Sequence, residues 1–481
     1  MTLRAIAAVA LLLLAPIPAA AQSQQDELDA RYDRALAAGY KALMLCSAIA
    51  NAEANGTTRT AESVEEWELT GIQAPLDNIV GELPYVIERY REHATGAPVG
   101  AVAYVAVEWV DNMPARTAYY LDGRGCSLSP IGQSVDPGAV SRMADVENAE
   151  KSFEFTLTAV GAGEFTAPAS PLDEPMGRAM GDEYGAGTRT TAVLIRRAGE
   201  EDGWKETASY KEGFDENTPQ RTWSVAKSIA ATLVGAAVQR GDLAFNPEHY
   251  GFPDAPPVPV ANPVEGADYS LDLMLRMASG RYSDTPGNRT DALYFGGSTV
   301  RETALHWPLI NEPGTVFRYA NNDTLAAAMT ISDILETHPP AEFFRQVGMT
   351  HTVAETDWVG DYILSSQVWS TAEDLANLGE LYLNDGVWHG TRILPEGWRE
   401  YVSTPAGPQP DGPFGYGAGF WLINKSEGVP PDTFAAFGNR GQYVVIVPSR
   451  DIVIVRRGED PAGSRFDIAG FTRDVLAALE E

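Results

Sequence analysis

The stretch Trp223-Ser224-Val225-Ala226-Lys227-Ser228, running on into Ile229-Ala230-Ala231-Thr232-Leu233-Val234-Gly235-Ala236-Ala237-Val238, decides the fold. Its second part is apolar on every face, which predicts a helix buried inside a larger domain and stopped by Gly241. Ser224 then stands at a helix N-terminus, where free N–H groups and the helix dipole favour developing negative charge. Lys227, three residues on, shares its face and lies within reach of the Ser224 hydroxyl. An ammonium buried beside a positive helix end gives up its proton more readily than a free lysine, whose pKa is about 10.4. Serine needs such a neighbour, because its hydroxyl is a weak nucleophile. Two readings of this Ser-x-x-Lys are open at this point. It is a nucleophile with its base, or a helix cap beside a lysine that snorkels to solvent.

A second constellation breaks the tie. Glu312-Pro313-Gly314-Thr315-Val316-Phe317-Arg318-Tyr319-Ala320-Asn321 carries a Tyr-x-Asn directly after a Pro-Gly turn. Tyr319 on such a loop can share a proton with Lys227 and pass it between Ser224 and a leaving group. Asn321 can orient Lys227 and a substrate amide. The other Tyr-x-Asn, Tyr382-Leu383-Asn384, follows Leu375, Leu378 and Leu381 at helical spacing, with Ser370 as cap and Glu373 three residues on, so it belongs to the core. The sequence has no Gly-x-Ser-x-Gly elbow, which disfavours an α/β-hydrolase. It has no His-Glu-x-x-His or other zinc spacing either, so no metal and no cofactor are expected.

The order Ser-x-x-Lys, then Met277-Ala278-Ser279-Gly280, then Pro-Gly-x-x-Phe-x-Tyr-x-Asn resembles the penicillin-recognising serine hydrolases. Within them it is most similar to the branch of class C β-lactamases, family VIII esterases and 6-aminohexanoate-dimer hydrolases. Weaker echoes are Val347-Gly348-Met349-Thr350, Asp374-Leu375-Ala376 and Leu381-Tyr382-Leu383-Asn384-Asp385-Gly386-Val387-Trp388. The resemblance runs from about Thr188 to the C-terminus. It implies an α/β (α+β) fold: a β-lactamase-like antiparallel sheet flanked by helices, plus a helical subdomain. It also implies Ser224 as the acylated nucleophile, Lys227 and Tyr319 as the general-base pair, and the Ser224 N–H as one oxyanion-hole donor.

The family's third motif, Lys-Thr-Gly or His-Thr-Gly, has no Lys-Thr-Gly counterpart here. The best match is Gly438-Asn439-Arg440-Gly441-Gln442, before a strand at Tyr443 to Val447, which makes the Gln442 N–H the expected second donor. Asn439 cannot supply the cation that β-lactamases set against the drug's carboxylate; Arg440 is a candidate for it, and a surface ion pair explains Arg440 equally well. This departure moves the expected substrate from β-lactams toward esters or linear amides. The rivals are a β-lactamase or D-alanyl-D-alanine carboxypeptidase and, from another class, a non-catalytic cell-wall peptide-binding protein. Tyr282 and Asp284 are either pocket-lining or ordinary loop residues.

The organisation along the chain follows. Residues 1–21, with Arg4, the apolar run Ala5 to Leu14, Pro16, Pro18 and Ala19-Ala20-Ala21, form a secretory signal peptide too short to anchor in a bilayer. The expected location is therefore periplasmic or secreted. In an oxidising compartment Cys46 and Cys126 read as a disulfide closing an 80-residue loop, worth about 4 kcal/mol. Residues 22–135 are an N-terminal extension. An amphipathic helix through Leu28, Tyr32, Leu36, Tyr40, Leu43 and Met44 ends near Cys46, and strands follow at Val99 to Val110 and Arg116 to Leu121. Residues 136–187, rich in Gly, Pro, Ala and acids, are a linker with little structure of its own.

Residues 188–481 are the hydrolase domain. Strands are expected at Thr190 to Arg197, Trp204 to Tyr210, Gly417 to Leu422, Tyr443 to Val447 and Ile452 to Arg456, and a last helix at Phe466 to Leu479. Strands at both ends with helices between predict a sheet built from the two termini of one domain. The chain carries 66 Asp and Glu against 35 Lys and Arg, a net charge of −31, which repels phosphate backbones and anionic lipid. A small-molecule ester or amide is the expected partner, and nucleic acid is not. Of the 35 cations only six are Lys, the residue that can release a proton.

Overall fold

The computed structural model describes residues 18–90, 100–134, 170–199, 203–245, 270–282, 290–305 and 307–480. Residues 1–17 of the expected signal peptide (1–21) and most of the expected linker lie outside these residues.

Helix α1 (Pro18–Ala54) is longer than its sequence pattern suggests, and Cys46 lies inside it rather than near its end. It is not amphipathic throughout. Leu28 and Tyr32 are exposed, whereas residues 35–50 are buried on every side. The reason is the frequency of small residues, such as Ala35, Ala37, Ala38 and Ala42, which let other chain segments approach from all directions. On one side lies an antiparallel sheet of β1 (Tyr85–Arg89), β2 (Val102–Val107), β3 (Arg116–Leu121) and β4 (Gly125–Leu128), in that order. On another, Tyr40 meets Phe295 with ring centroids 4.7 Å apart, and a Cβ on Gly39 would sit 2.0 Å from the Phe295 carbonyl oxygen. One 18-residue window of α1 is apolar enough to cross a membrane by composition alone, yet that window is wholly buried in protein. Cys46 is bonded to Cys126 on β4, as expected.

The end of the linker is structured. Helix α2 (Asp173–Met180) packs Met176 and Ala179 against Val193, Ile195 and Phe471. Its apolar face is only two turns long, too short to stand out among the surrounding Gly and acidic residues.

The main sheet has seven antiparallel strands: β5 (Thr190–Ala198), β6 (Trp204–Tyr210), β7 (Gly415–Tyr416), β8 (Trp421–Leu422), β9 (Phe434–Gly438), β10 (Gln442–Val447) and β11 (Ile452–Gly458). Their order is β7-β8-β9-β10-β11-β5-β6, so the two ends of the domain meet at the β11–β5 pair. The single strand expected at Gly417 to Leu422 is instead a turn over residues 417–420 followed by the short strand β8. Gly419 has φ 78°, and a Cβ there would lie 2.7 Å from the Ala231 Cβ, so this turn folds tightly onto the buried helix.

Successive residues of the central strands face opposite layers. Phe434, Ala436, Val444 and Ile446 join the core shared with α3 (Val225–Arg240), while Ala435, Val445 and Ile454 join the core under the C-terminal helix. Beside α3 lie α4 (Asn321–Met329) and α5 (Ala372–Leu383). The cap of α5 is Thr371, whose hydroxyl accepts from the Asp374 N–H at 3.2 Å; Ser370 still belongs to a short strand, Val368–Ser370. Tyr382 is fully buried and its hydroxyl bonds to Thr232 at 2.9 Å, the core role expected of it. Helix α6 (Ile468–Ala478) closes the chain on the outer face.

Candidate active site

Ser224 caps α3, and the residue before it, Trp223, has φ 51°. This left-handed step costs a non-glycine residue energy, and it delivers Ser224 to a helix start that opens on a cavity. The α3 helix is buried from Val225 to Ala237, so Lys227 has no path to solvent and the snorkelling alternative falls away. Its Nζ is 3.1 Å from Ser224 Oγ, 2.5 Å from Asn321 Oδ1 and 2.9 Å from the Ser365 carbonyl oxygen. Desolvation draws its pKa from 10.5 down to about 7.

Tyr319 lines the same cavity as Ser224, and the Lys227 Nζ lies 5.2 Å from its ring centroid. The ring packs against Tyr416 and Trp421, at 5.9 and 5.2 Å between centroids, and desolvation pushes its phenol well above the ordinary value. The structure thus brings Ser224, Lys227, Tyr319 and Asn321 together. Asn321 spends both ends of its amide on protein: Oδ1 on Lys227 and Nδ2 on Thr290 Oγ1 at 2.9 Å. Its Oδ1 therefore orients Lys227, and the residue also borders the cavity.

The loop that carries Tyr319 is strapped to the Met277–Gly280 segment. The Arg318 N–H donates to the Met277 carbonyl and the Gly314 N–H to the Ala278 carbonyl, both at 2.8 Å. Ser279 Oγ in turn donates to the buried Asp323 at 2.6 Å, and burial lifts that carboxyl to about 7. Met-x-Ser-Gly is therefore a turn after the short helix Leu271–Leu275, with Met277 at φ 58° and Gly280 at φ 80°.

A cavity of about 910 Å³ opens over Ser224, walled by Tyr319, Trp421, Gly438, Asn439 and, from the N-terminal extension, Gln73. The aromatic wall and Gln73 carried no motif in the sequence. Asn439 is exposed on the cavity wall, consistent with a binding position.

Arg440 is elsewhere. It is 6% exposed, pairs with Glu459 at 2.5 Å, and donates to the Trp67 and Thr70 carbonyl oxygens at 2.8 and 2.9 Å. It is neither a surface ion pair nor a cation offered to a substrate. Its φ of 56° turns it away from the cavity. Gln442 also departs from expectation. It lies across the β9–β10 ladder from Gly438, fully buried and outside the cavity wall, with its side chain donating to the Gly458 carbonyl. Tyr282 is exposed beside Trp307 and off the wall, and Asp284 lies outside the described residues. Among the described residues no group of three or more His, Cys, Asp or Glu is placed to hold a metal ion.

Residues 178–475, more than half of the sequence, match the family model for Beta-lactamase. The chain belongs to the beta-lactamase family. It is thereby a serine hydrolase of the penicillin-recognising superfamily, with the family's antiparallel sheet and flanking helices. A 6-aminohexanoate-dimer hydrolase of Paenarthrobacter ureafaciens is 26% identical over 302 residues, covering 57% of this chain and 74% of that protein. Among solved structures, a penicillin-binding protein homologue from Pyrococcus abyssi is 18% identical, with 64% of this chain and 76% of that one covered and a TM-score of 0.45. A beta-lactamase from Mycobacterium bovis is also 18% identical, covering 60% and 95%, with a TM-score of 0.44. The beta-lactamase match begins inside α2, so α1, its four-stranded sheet and Gln73 all precede it.

Proposed function

We propose that this beta-lactamase-family protein hydrolyses an ester or a linear amide through an acyl-enzyme on Ser224. The observation that carries the mechanism is the coordination of Lys227. A neutral amine has two N–H donors and one lone pair. The Asn321 and Ser365 oxygens occupy two directions, which leaves the lone pair for the Ser224 hydroxyl. With its pKa near 7, Lys227 is a base at neutral pH, and the raised pKa of Tyr319 favours the protonated phenol.

Ser224 Oγ then attacks the carbonyl carbon as Lys227 takes its proton. Tyr319, on the same cavity wall as Ser224, relays a proton to the leaving oxygen or nitrogen, and the acyl–oxygen or acyl–nitrogen bond breaks. Water enters by the reverse path: it gives a proton to the Lys227–Tyr319 pair, attacks the acyl carbon and releases the acid with Ser224 restored. The oxyanion rests on the Ser224 N–H at the start of α3 and on the N–H of Asn439 in place of Gln442. Gly438 supports that second donor: it lies so close to the strand before Ser224 that a Cβ would sit 2.3 Å from the Thr222 carbonyl oxygen.

The inward turn of Arg440 weighs against β-lactams and peptides that present a carboxylate at this turn, and similarity to a 6-aminohexanoate-dimer hydrolase weighs in favour of a linear amide. Export is part of the proposal, supported by the Cys46–Cys126 disulfide. The test is turnover of p-nitrophenyl esters, aminohexanoate dimer and nitrocefin by wild type and Ser224→Ala. Esters or the dimer are expected to outrun nitrocefin, with turnover lost in the variant. Nitrocefin as the best substrate would overturn the substrate assignment, and an active Ser224→Ala would overturn the mechanism.

A further inference from the structure

The segment before the family match reaches into the catalytic cavity through Gln73, which is half-buried on its wall. Its placement is held at several points. Arg440 binds the Trp67 and Thr70 carbonyl oxygens, the Ala462 N–H donates to the Gly71 carbonyl at 2.7 Å, and Arg189 donates to the Glu66 carbonyl at 2.8 Å while stacking on Trp67. Thr70 is thus tied to the 438–441 turn through the Arg440 side chain. Gln73 and Asn439 both line this cavity. Among the described residues neither side-chain amide has a hydrogen-bond partner on the protein, which leaves both available to a ligand in the cavity. The guanidinium on the wall, Arg318, belongs to the Tyr319 loop instead.

We propose that Gln73, with Asn439, forms a neutral hydrogen-bonding subsite that selects substrates whose distal group is an uncharged amide rather than a carboxylate. The N-terminal extension is then a working part of the active site. Arg440, at the turn where a cation could have met a carboxylate, is instead spent on holding Gln73 in place. This inference rests on the hydrolase reading above and sharpens its substrate class.

The test uses full-length protein and two matched pairs of esters. On the acyl side these are p-nitrophenyl adipamate and the mono-p-nitrophenyl ester of adipic acid; on the leaving-group side, 4-carbamoylphenyl and 4-carboxyphenyl hexanoate. p-Nitrophenyl hexanoate is the reference. Wild type is expected to favour the amide member of at least one pair. Gln73→Ala should lower kcat/KM for that member by about 3- to 10-fold relative to the reference, the effect of one lost hydrogen bond. Gln73→Lys should shift preference toward the carboxylate member, a gain that misfolding cannot produce. Normal turnover of the reference with ratios unmoved by either variant would overturn this inference alone. No Ser224-dependent turnover of the reference would overturn the hydrolase reading, and this inference with it.

Discussion

Replacing Lys227 by methionine is expected to lower kcat by about 10²- to 10⁴-fold on the best ester, with the circular dichroism spectrum unchanged. Methionine fills a similar volume in the buried α3 site but offers Ser224 no lone pair. The pKa of about 7 adds a signed prediction. Only the neutral amine accepts a proton, so wild-type kcat/KM should rise with pH to a plateau above about 7, a limb that the variant lacks. Stability carries the same sign. Between about pH 7 and 10.5 the unfolded chain holds a proton that folded Lys227 has released, so wild-type stability rises with pH across this window. Below pH 7 both states are protonated and the desolvation penalty is constant. From pH 7 to 9, wild type should gain about 2–3 kcal/mol relative to Lys227→Met in paired urea titrations. No relative gain, together with a flat rate profile between about pH 6 and 8, would contradict a neutral-amine base.

The Arg440→Met variant is expected to lose about 3–5 kcal/mol of stability, because it strands Glu459 without its counter-ion in a buried site. Burial already lifts Glu459 to about 7, and Glu68 nearby pushes the same way. The loss should therefore shrink on acidification, as Glu459 takes up a proton and no longer needs a partner. Adding Glu459→Gln to Arg440→Met should recover part of the stability, which a double-mutant cycle in urea reads directly. The single variant should also lose activity, since Trp67 and Thr70 lose a clamp that holds the Gln73 segment. A loss below about 1 kcal/mol would put Arg440 back among ordinary surface pairs.

The parts legible in the sequence are those fixed by local chemistry. Ser224 and Lys227 lie one helical turn apart on an all-apolar helix, and both spacing and burial are visible in one short stretch. Tyr319 and Asn321 follow a Pro-Gly turn, and the strands β5, β6, β10 and β11 are apolar runs bounded by turns. What failed depends on direction or on distant partners. A guanidinium in a turn reads alike whether it faces out or in, and only the left-handed backbone at Arg440 decides. The ladder pairs Gly438 with Gln442, so 439–441 form the connecting turn; the residue facing the cavity is Asn439 at its start, not Gln442 at its return. The burial of α1 depends on a sheet and on Phe295, both remote in the chain, and so does the presence of Gln73 at the site.

The central claim, an acyl-enzyme on Ser224, is tested most directly by trapping. Wild type and Ser224→Ala are incubated with a fluorophosphonate, and separately with a p-nitrophenyl ester quenched in acid, then analysed by intact mass and tryptic mapping. One adduct per chain is expected, on the Thr222–Lys227 peptide of wild type and absent from the variant. An adduct on another peptide, or one that persists in Ser224→Ala, would contradict the account.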